Sequence, residues 1–551
     1  MKNKNHFGIL IYITLLLSLF LTSCSQGANQ EEDSENIILQ PESSNIINLA
    51  IDSNDTLNPI LTKSVSVMDA MQLVFEPLFY YDTSLNPICA LAESCIPSDD
   101  AFGYTLKIKN GVFWHDGTPL TANDILHTIN LIRFNDTVFT GTLSCISSVT
   151  AIDNHTLSIR LNRPVPNFTA LLSFPIVPNS KATEPAESYI PIGTGPFRYD
   201  DKITSDKIRL VKNENWTGTK PSVNEIHLNL LKNTTDIINA FNASEVDAIT
   251  STVMDLKTNA IRGEVYSADY VSNNMSFIGF NNSSPLFMSA NTRKAISYLI
   301  DRQDIVTNEI FSRGEPAKIP VNPTAWYSPK IPDTKYDKDY ISEMLALDGW
   351  AINEKGQYTR TRQQYTVDSD EPALVSELLK ADILVNDDND ERYRIATKTA
   401  DRLNSFGIET TVTLVSFEDY KQRITDKSYS MFVGEVKLAG NMDCYSLLAA
   451  SDNYFSYSSE AMNNMIYRLG SAKNSEEQTA SFSEYANLFL DEMPFIPLFF
   501  RKETVYFEKN ISGITFPNLF TAYCSPENWY IVNNSAAEIN NNEQDESNNI
   551  K

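Results

Sequence analysis

The side chains best able to do chemistry in this chain are six cysteines, five histidines and 70 Asp+Glu set against 44 Lys+Arg, within 551 residues. The histidines (His6, His115, His127, His155, His227) are scattered and no Cys-x-x-Cys pair occurs, so no structural metal site is expected. There is no Gly-x-Ser-x-Gly elbow, Walker-type phosphate loop, His-Glu-x-x-His helix or dinucleotide fingerprint. Gly193-Thr194-Gly195-Pro196 is glycine-rich, but Pro196 removes a backbone donor where a phosphate cradle needs one. It reads instead as a rigid turn into a strand at Phe197. With so many acids, some carboxylate pair always looks catalytic, and such pairs carry no weight. The chain is therefore expected not to be an enzyme and to need no cofactor.

The formal charge, 44 − 70 = −26, argues against nucleic acid or an anionic bilayer as the main partner, because both require a basic face. A 42% hydrophobic and 11% aromatic content is that of a folded protein, long enough for roughly three or four folding units. Lys2 and Lys4 precede an uncharged apolar run from Phe7 to Leu21, the anatomy of a secretory signal and short for a spanning helix. Leu21-Thr22-Ser23-Cys24 looks like a lipobox, in which Cys24 is lipidated and becomes the mature N-terminus. An uncleaved anchor helix, or a plain secretory signal with an incidental cysteine, is the alternative. Residues 1–23 are thus read as signal and 24–44, polar and acidic, as a lipidated flexible tether. Five cysteines remain (Cys89, Cys95, Cys145, Cys444, Cys524), an odd number that cannot all pair within one chain. Cys89 and Cys95 are near enough to close a small loop, or each is a free thiol.

These residues have to be positioned by mixed helices and short strands, a pattern that favours α/β or α+β. Tyr104, Leu106 and Ile108 alternate with polar residues before turns at Asn110-Gly111 and His115-Asp116-Gly117, which predicts a hairpin with Val112-Phe113-Trp114. Thr121 is placed to cap a helix with Asp124 in its first turn and Ile125, Ile129 and Ile132 on its core face. Residues 291–300 form a second amphipathic helix, after which Asp301 caps a third. Ile395, Ala396, Ala400, Leu403 and Phe406 mark a helix stopped by Gly407, which feeds a strand through Ile408, Thr410, Val412 and Leu414. Residues 533–551 read as a disordered acidic tail.

Several segments, in order, resemble one family, the family 5 extracellular solute-binding proteins of bacterial ABC importers, which includes oligopeptide-, dipeptide- and nickel-binding members. They are Asp55-Thr56-Leu57-Asn58-Pro59, Val74-Phe75-Glu76-Pro77-Leu78, and Pro87 with Leu91-Ala92-Glu93-Ser94. The stretch from Tyr104 through Trp114-His115-Asp116-Gly117 to Asp124 is the most specific. Gly193 to Phe197, Arg293 to Tyr298 with Asp301-Arg302, and Pro494 to Leu498 complete the set. The resemblance spans about residues 45–530. It implies a mixed α/β, two-lobed periplasmic-binding-protein-like fold with an interlobe ligand cleft and an extra subdomain in lobe one. Lobe one would comprise 45–275 and a return segment at 498–532, and lobe two 276–497. It also implies a monomer, tethered to the membrane only through its lipid, that closes on its solute and passes it to a permease and, through it, to ATPase subunits. Trp114, Gly117 and Gly195 are expected to serve the scaffold.

The same resemblance places Leu57 and Asn58 at the cleft, and it exposes departures in lobe two. Where many peptide-binding relatives carry an aspartate for the peptide's α-amine, this chain aligns Gly440, with Lys437 at a tryptophan position and Cys444 at a proline. The ligand-binding candidates are therefore Leu57, Asn58, Asn386, Asp387, Lys437, Gly440, Asn441 and Asp443, with Asp387 or Asp443 available for a positive terminus. Lys437 either meets an anionic ligand group or points into solvent. The favoured function is oligopeptide capture. The alternatives are a non-peptide, anionic solute or a surface peptide sensor without a transport role.

Overall fold

The computed structural model describes residues 45–532 except 53–54, 183, 201–205, 251–260, 333–336, 365–372 and 515–516. The expected signal, Cys24, the tether and the acidic tail lie outside the described residues. Among the described residues no helix is long and apolar enough to cross a membrane.

Lobe one starts with the strand Ile46–Asp52, which pairs in parallel with Glu225–Leu231 and continues antiparallel through Lys207–Lys212 to Phe197–Asp200. A second, antiparallel sheet runs in the order Ala92–Pro97, Gly103–Ile108, Thr156–Leu161, Ile146–Asp153. The helix Ala122–Phe134 packs on it, burying Ile125, Ile129 and Ile132 as their spacing requires. Thr121 and Asp124 form the expected capping box, which satisfies backbone donors at the helix start. The hairpin expected next to it is absent. The Asn110-Gly111 turn is present, with Gly111 at φ +74°, but Gly103–Ile108 pairs with strands 92–97 and 156–161. Both edges are then occupied, so Val112–Trp114 cannot join; Phe113 instead bridges Pro119 across the second turn. The Gly193–Phe197 segment does turn into a strand at Phe197. It lies so close to Val74 that a Cβ at Gly193 would overlap the Val74 carbonyl, and Gly195 N–H donates to that carbonyl at 2.9 Å.

The seven-stranded third sheet ties the lobes together. Its order is Ala248–Thr250, Phe495–Phe507, Tyr266–Phe280, Met431–Lys437, Lys380–Asn386, Glu409–Val415, with Gly314–Pro316 also on Phe495–Phe507. The two long strands, Tyr266–Phe280 and Phe495–Phe507, are antiparallel partners, and the expected lobe boundaries at 275/276 and 497/498 fall inside them. Their ladder is interrupted between Val271 and Met275. The fully buried Asn322 repairs the break by donating Nδ2 to the Val271 and Ser272 carbonyls and to Asn273 Oδ1 at 3.0–3.3 Å.

Lobe two repeats the logic of local signals. The helix Ala290–Leu299 forms, and Asp301 caps a short turn, Arg302–Asp304, that continues as a π-helical turn. The helix Asp390–Phe406 is capped by Asn389, stops at Gly407 with φ +94°, and buries Ile395, Ala396, Ala400, Leu403 and Phe406. It forms the crossover between the parallel strands Lys380–Asn386 and Glu409–Val415. One apolar core runs through both lobes, from Ile47 to Trp529.

Candidate interlobe binding site

Because paired residues in adjacent strands point to the same side, the sheet register fixes which side chains share the face between the lobes. Tyr270 is opposite Glu503, and Asn274 is opposite Lys437. Glu503 accepts from Tyr270 Oη at 2.7 Å and from Asn274 Nδ2 at 3.3 Å. Further along, Arg501 binds Glu435 through Nε at 2.8 Å and Glu391 through Nη1 at 3.2 Å, which joins the long strand to the first turn of the helix Asp390–Phe406. Burial opposes the Arg501 charge, but the two carboxylates outweigh it and raise its pKa.

Lobe one brings Asp69 to this wall on the short helix Val65–Met71. Its Oδ2 accepts from Thr250 Oγ1 at 3.2 Å. Asp69 lies deep between the lobes, yet part of its surface stays open. Burial pushes its carboxyl up to about 7; Glu503 adds to the rise, while the Thr250 bond and the Lys437 charge oppose it. Lys437, exposed at the end of its strand and opposite Asn274, adds its positive charge to the same wall. It makes no ion pair among the described residues. Beside the hinge, a cavity of about 310 Å³ is lined by Leu85, Asp269, Tyr270, Thr324 and Asn518 among others.

Gly440, Asn441 and Asp443 lie instead at a seam where the lobes touch. Gly440 meets the Phe520 ring and the Ala170 carbonyl, so that a Cβ would come within 2.6 Å of the ring. Asp443 is paired with Arg163, whose guanidinium lies 4.3 Å from the Tyr445 ring centroid. The Asn441 carbonyl accepts from Asn167 Nδ2 at 3.4 Å, while Asn441 Nδ2 is buried without a partner. Cys444 is buried, its thiol raised to about 12 by desolvation. All five described cysteines are free thiols, Cys89 and Cys95 included.

The other candidates serve local turns. Asn58 is buried, and its Oδ1 accepts the Ile60 and Leu61 N–H groups at 3.0 and 3.4 Å, while Leu57 packs half-buried on the core. Asn386 accepts from Arg392 Nη1 at 2.9 Å, and the exposed Asp387 donates its N–H to the Val415 carbonyl at 2.8 Å. Of the eight ligand candidates, only Lys437 joins the charged group at the hinge. Asp69, Glu503 and Arg163 were not foreseen. For Asp69 there was a signal, a single acid within the otherwise uncharged helix Val65-Ser66-Val67-Met68-Asp69-Ala70-Met71.

Comparison with known proteins places this geometry in context. The family model described as bacterial extracellular solute-binding proteins, family 5, matches residues 86–454. The chain is 22% identical over 560 aligned positions to the oligopeptide-binding protein AppA of Bacillus subtilis, covering 97% of this chain and all of that one. It is 26% identical to heme-binding protein A of Haemophilus influenzae over 53% of this chain and 59% of that protein. Among solved structures, the unliganded open form of the periplasmic murein tripeptide-binding protein MppA superposes with a TM-score of 0.72 at 17% identity, covering 90% of this chain and 98% of that one.

Proposed function

Because this chain belongs to family 5 of the bacterial extracellular solute-binding proteins, we propose that it captures oligopeptides between its lobes and delivers them to the permease of an ABC importer. The observation that carries the reading is that Asp69, held at the joining strands through Thr250, and Lys437, opposite Asn274 and without an ion pair among the described residues, bring opposite charges from different segments to one wall. A ligand with separated charges completes both only when the lobes are together, so its differential affinity favours the closed form. The similarity to AppA, which extends over that protein's whole length, supports peptide as the solute. The lipobox-like Leu21-Thr22-Ser23-Cys24 supports anchoring at the extracytoplasmic face through Cys24, which raises the local concentration near the permease.

Native mass spectrometry of the globule lacking residues 1–24, with denaturing release of what co-purifies, tests this reading. A ladder of masses that sequence as peptides is expected. A single non-peptide mass would replace it with the second reading, an anionic solute held by Lys437, which the lack of an ion pair at that residue among the described residues favours. A protein that is empty and is not stabilised by peptide pools would point to a sensor without a transport role.

A further inference from the structure

Of the two acids expected for a positive terminus, Asp443 is already paired with Arg163 and Asp387 is exposed to solvent. A buried ammonium needs a carboxylate partner. If the ligand is a peptide, its amino end must be met elsewhere.

Around the hinge, three elements converge on one carboxylate. Asp69, on the helix Val65–Met71, accepts from Thr250, whose strand partner Val505 is two residues from Glu503 on the same face of the long strand, and Glu503 in turn accepts from Asn274, the strand partner of Lys437. The two acids differ in their partners. Glu503 is held through both oxygens, by Tyr270 and by Asn274. Asp69 receives one long hydrogen bond, from Thr250 to Oδ2. Its other oxygen has no donor among the described residues, and the group remains partly open to the cleft. The remaining titratable groups that face Asp69 are the phenols of Tyr270 and Tyr523, both driven upward by burial and neutral at ordinary pH. Among the described residues, Lys437 is the cation whose charge acts on Asp69. It sits on a flexible four-carbon stem, and its head is able to leave for water or for a ligand acceptor.

We propose that Asp69, backed by Glu503, is the site for the ligand's free ammonium group, and that Lys437 turns from Asp69 to a ligand carbonyl or carboxylate when the lobes close. The proposal rests on the peptide reading above and assigns the amino end to lobe one and the hinge. It makes the protein selective for solutes with an unblocked amine. It also makes binding depend on pH. The Asp69 carboxyl, raised to about 7, must be ionised while the ligand α-amine, with a pKa of about 8, stays protonated. Affinity should therefore climb from pH 6 toward a maximum between about 7 and 8.

The test uses random-sequence tetrapeptide pools with free or acetylated amino ends, titrated against the globule by calorimetry at several pH values. The free pool is expected to bind at least roughly tenfold more tightly than the acetylated pool at pH 7.5. Asp69→Asn should abolish that ratio and flatten the rise with pH. A loss of fold alone would weaken both pools and leave their ratio unchanged. Glu503→Gln, which keeps a side chain able to bond Tyr270 and Asn274, removes a like charge and should move the rise to lower pH. Equal binding of the two pools, or a ratio that survives in Asp69→Asn, overturns the ammonium site while the peptide reading stands. Binding of neither pool overturns both.

Discussion

Two of the places where the lobes meet are built on opposite principles. At the seam, Asp443 has its Arg163, the guanidinium has the Tyr445 face, and Gly440 lets the Phe520 ring approach without a side chain between them. At the hinge wall, Asp69 has one long hydrogen bond and Lys437 has no ion pair among the described residues. The charges of the seam are paired without a ligand, and those of the wall are not. A contact whose groups are already satisfied has little to offer a solute, whereas one that keeps charges underpartnered in a desolvated space gains most when a complementary ligand arrives.

Breaking the seam should have the largest effect. Arg163→Met leaves the Asp443 carboxylate, whose side chain is only 9% exposed, without its cation. A loss of roughly 2–3 kcal/mol from the closed form is expected, less than for a fully buried pair because Arg163 is partly solvated. Small-angle scattering should show a larger radius of gyration, and an unchanged radius would mean that the ion pair does not hold the lobes together. Gly440→Leu attacks the same seam sterically. Overpacking against Phe520 should cost about 2 kcal/mol, seen as a lower melting temperature and weaker ligand binding.

At the wall the sign reverses, because the wild-type arrangement carries a penalty. An acid whose folded pKa exceeds its unfolded value is destabilised once it ionises, so the penalty is absent below about pH 4 and complete above about pH 7. Asp69→Asn should therefore raise the stability of the empty protein by on the order of 1–2 kcal/mol at pH 8, discounted for the open side of the cleft, and leave it unchanged at pH 4. Glu76, raised to about 7 chiefly by burial, contributes a trend of the same sign, so the comparison is the mutant-minus-wild-type difference in thermal unfolding. A difference that does not vary with pH would remove the contrast between wall and seam. Lys437→Ala should be the mildest change, within about 0.5 kcal/mol, since an exposed lysine without a partner gives up little when removed.

The legible parts of this protein were those governed by short-range rules. The Thr121–Asp124 capping box, the buried stripe from Ile395 to Phe406 and the stop at Gly407 all follow from residues within a few turns of one another. The family resemblance gathered ordered segments of this kind and led to the two-lobed architecture that the structural relatives share. The hairpin at Tyr104–Trp114 was misread because turn residues announce a reversal but not which strands will occupy the edges; here strands 92–97 and 156–161 took both. Asp443 looked free in the sequence and is engaged by Arg163, far away in the chain.

The sequence by itself determined the mixed α/β composition, the local elements with their caps and core faces, and the acidic charge. Only the tertiary structure brings an underpartnered acid, Asp69, to the wall that carries Glu503 and Lys437. Asp69, Glu503 and Lys437 belong to three distant segments, and no periodicity or local spacing relates them. The register of the long strands Tyr266–Phe280 and Phe495–Phe507, and the hydrogen bond from Thr250 to Asp69 on the helix Val65–Met71, bring the three groups to one wall. Charge is a property of each residue, but desolvation and the distance between charges exist only once the chain has folded.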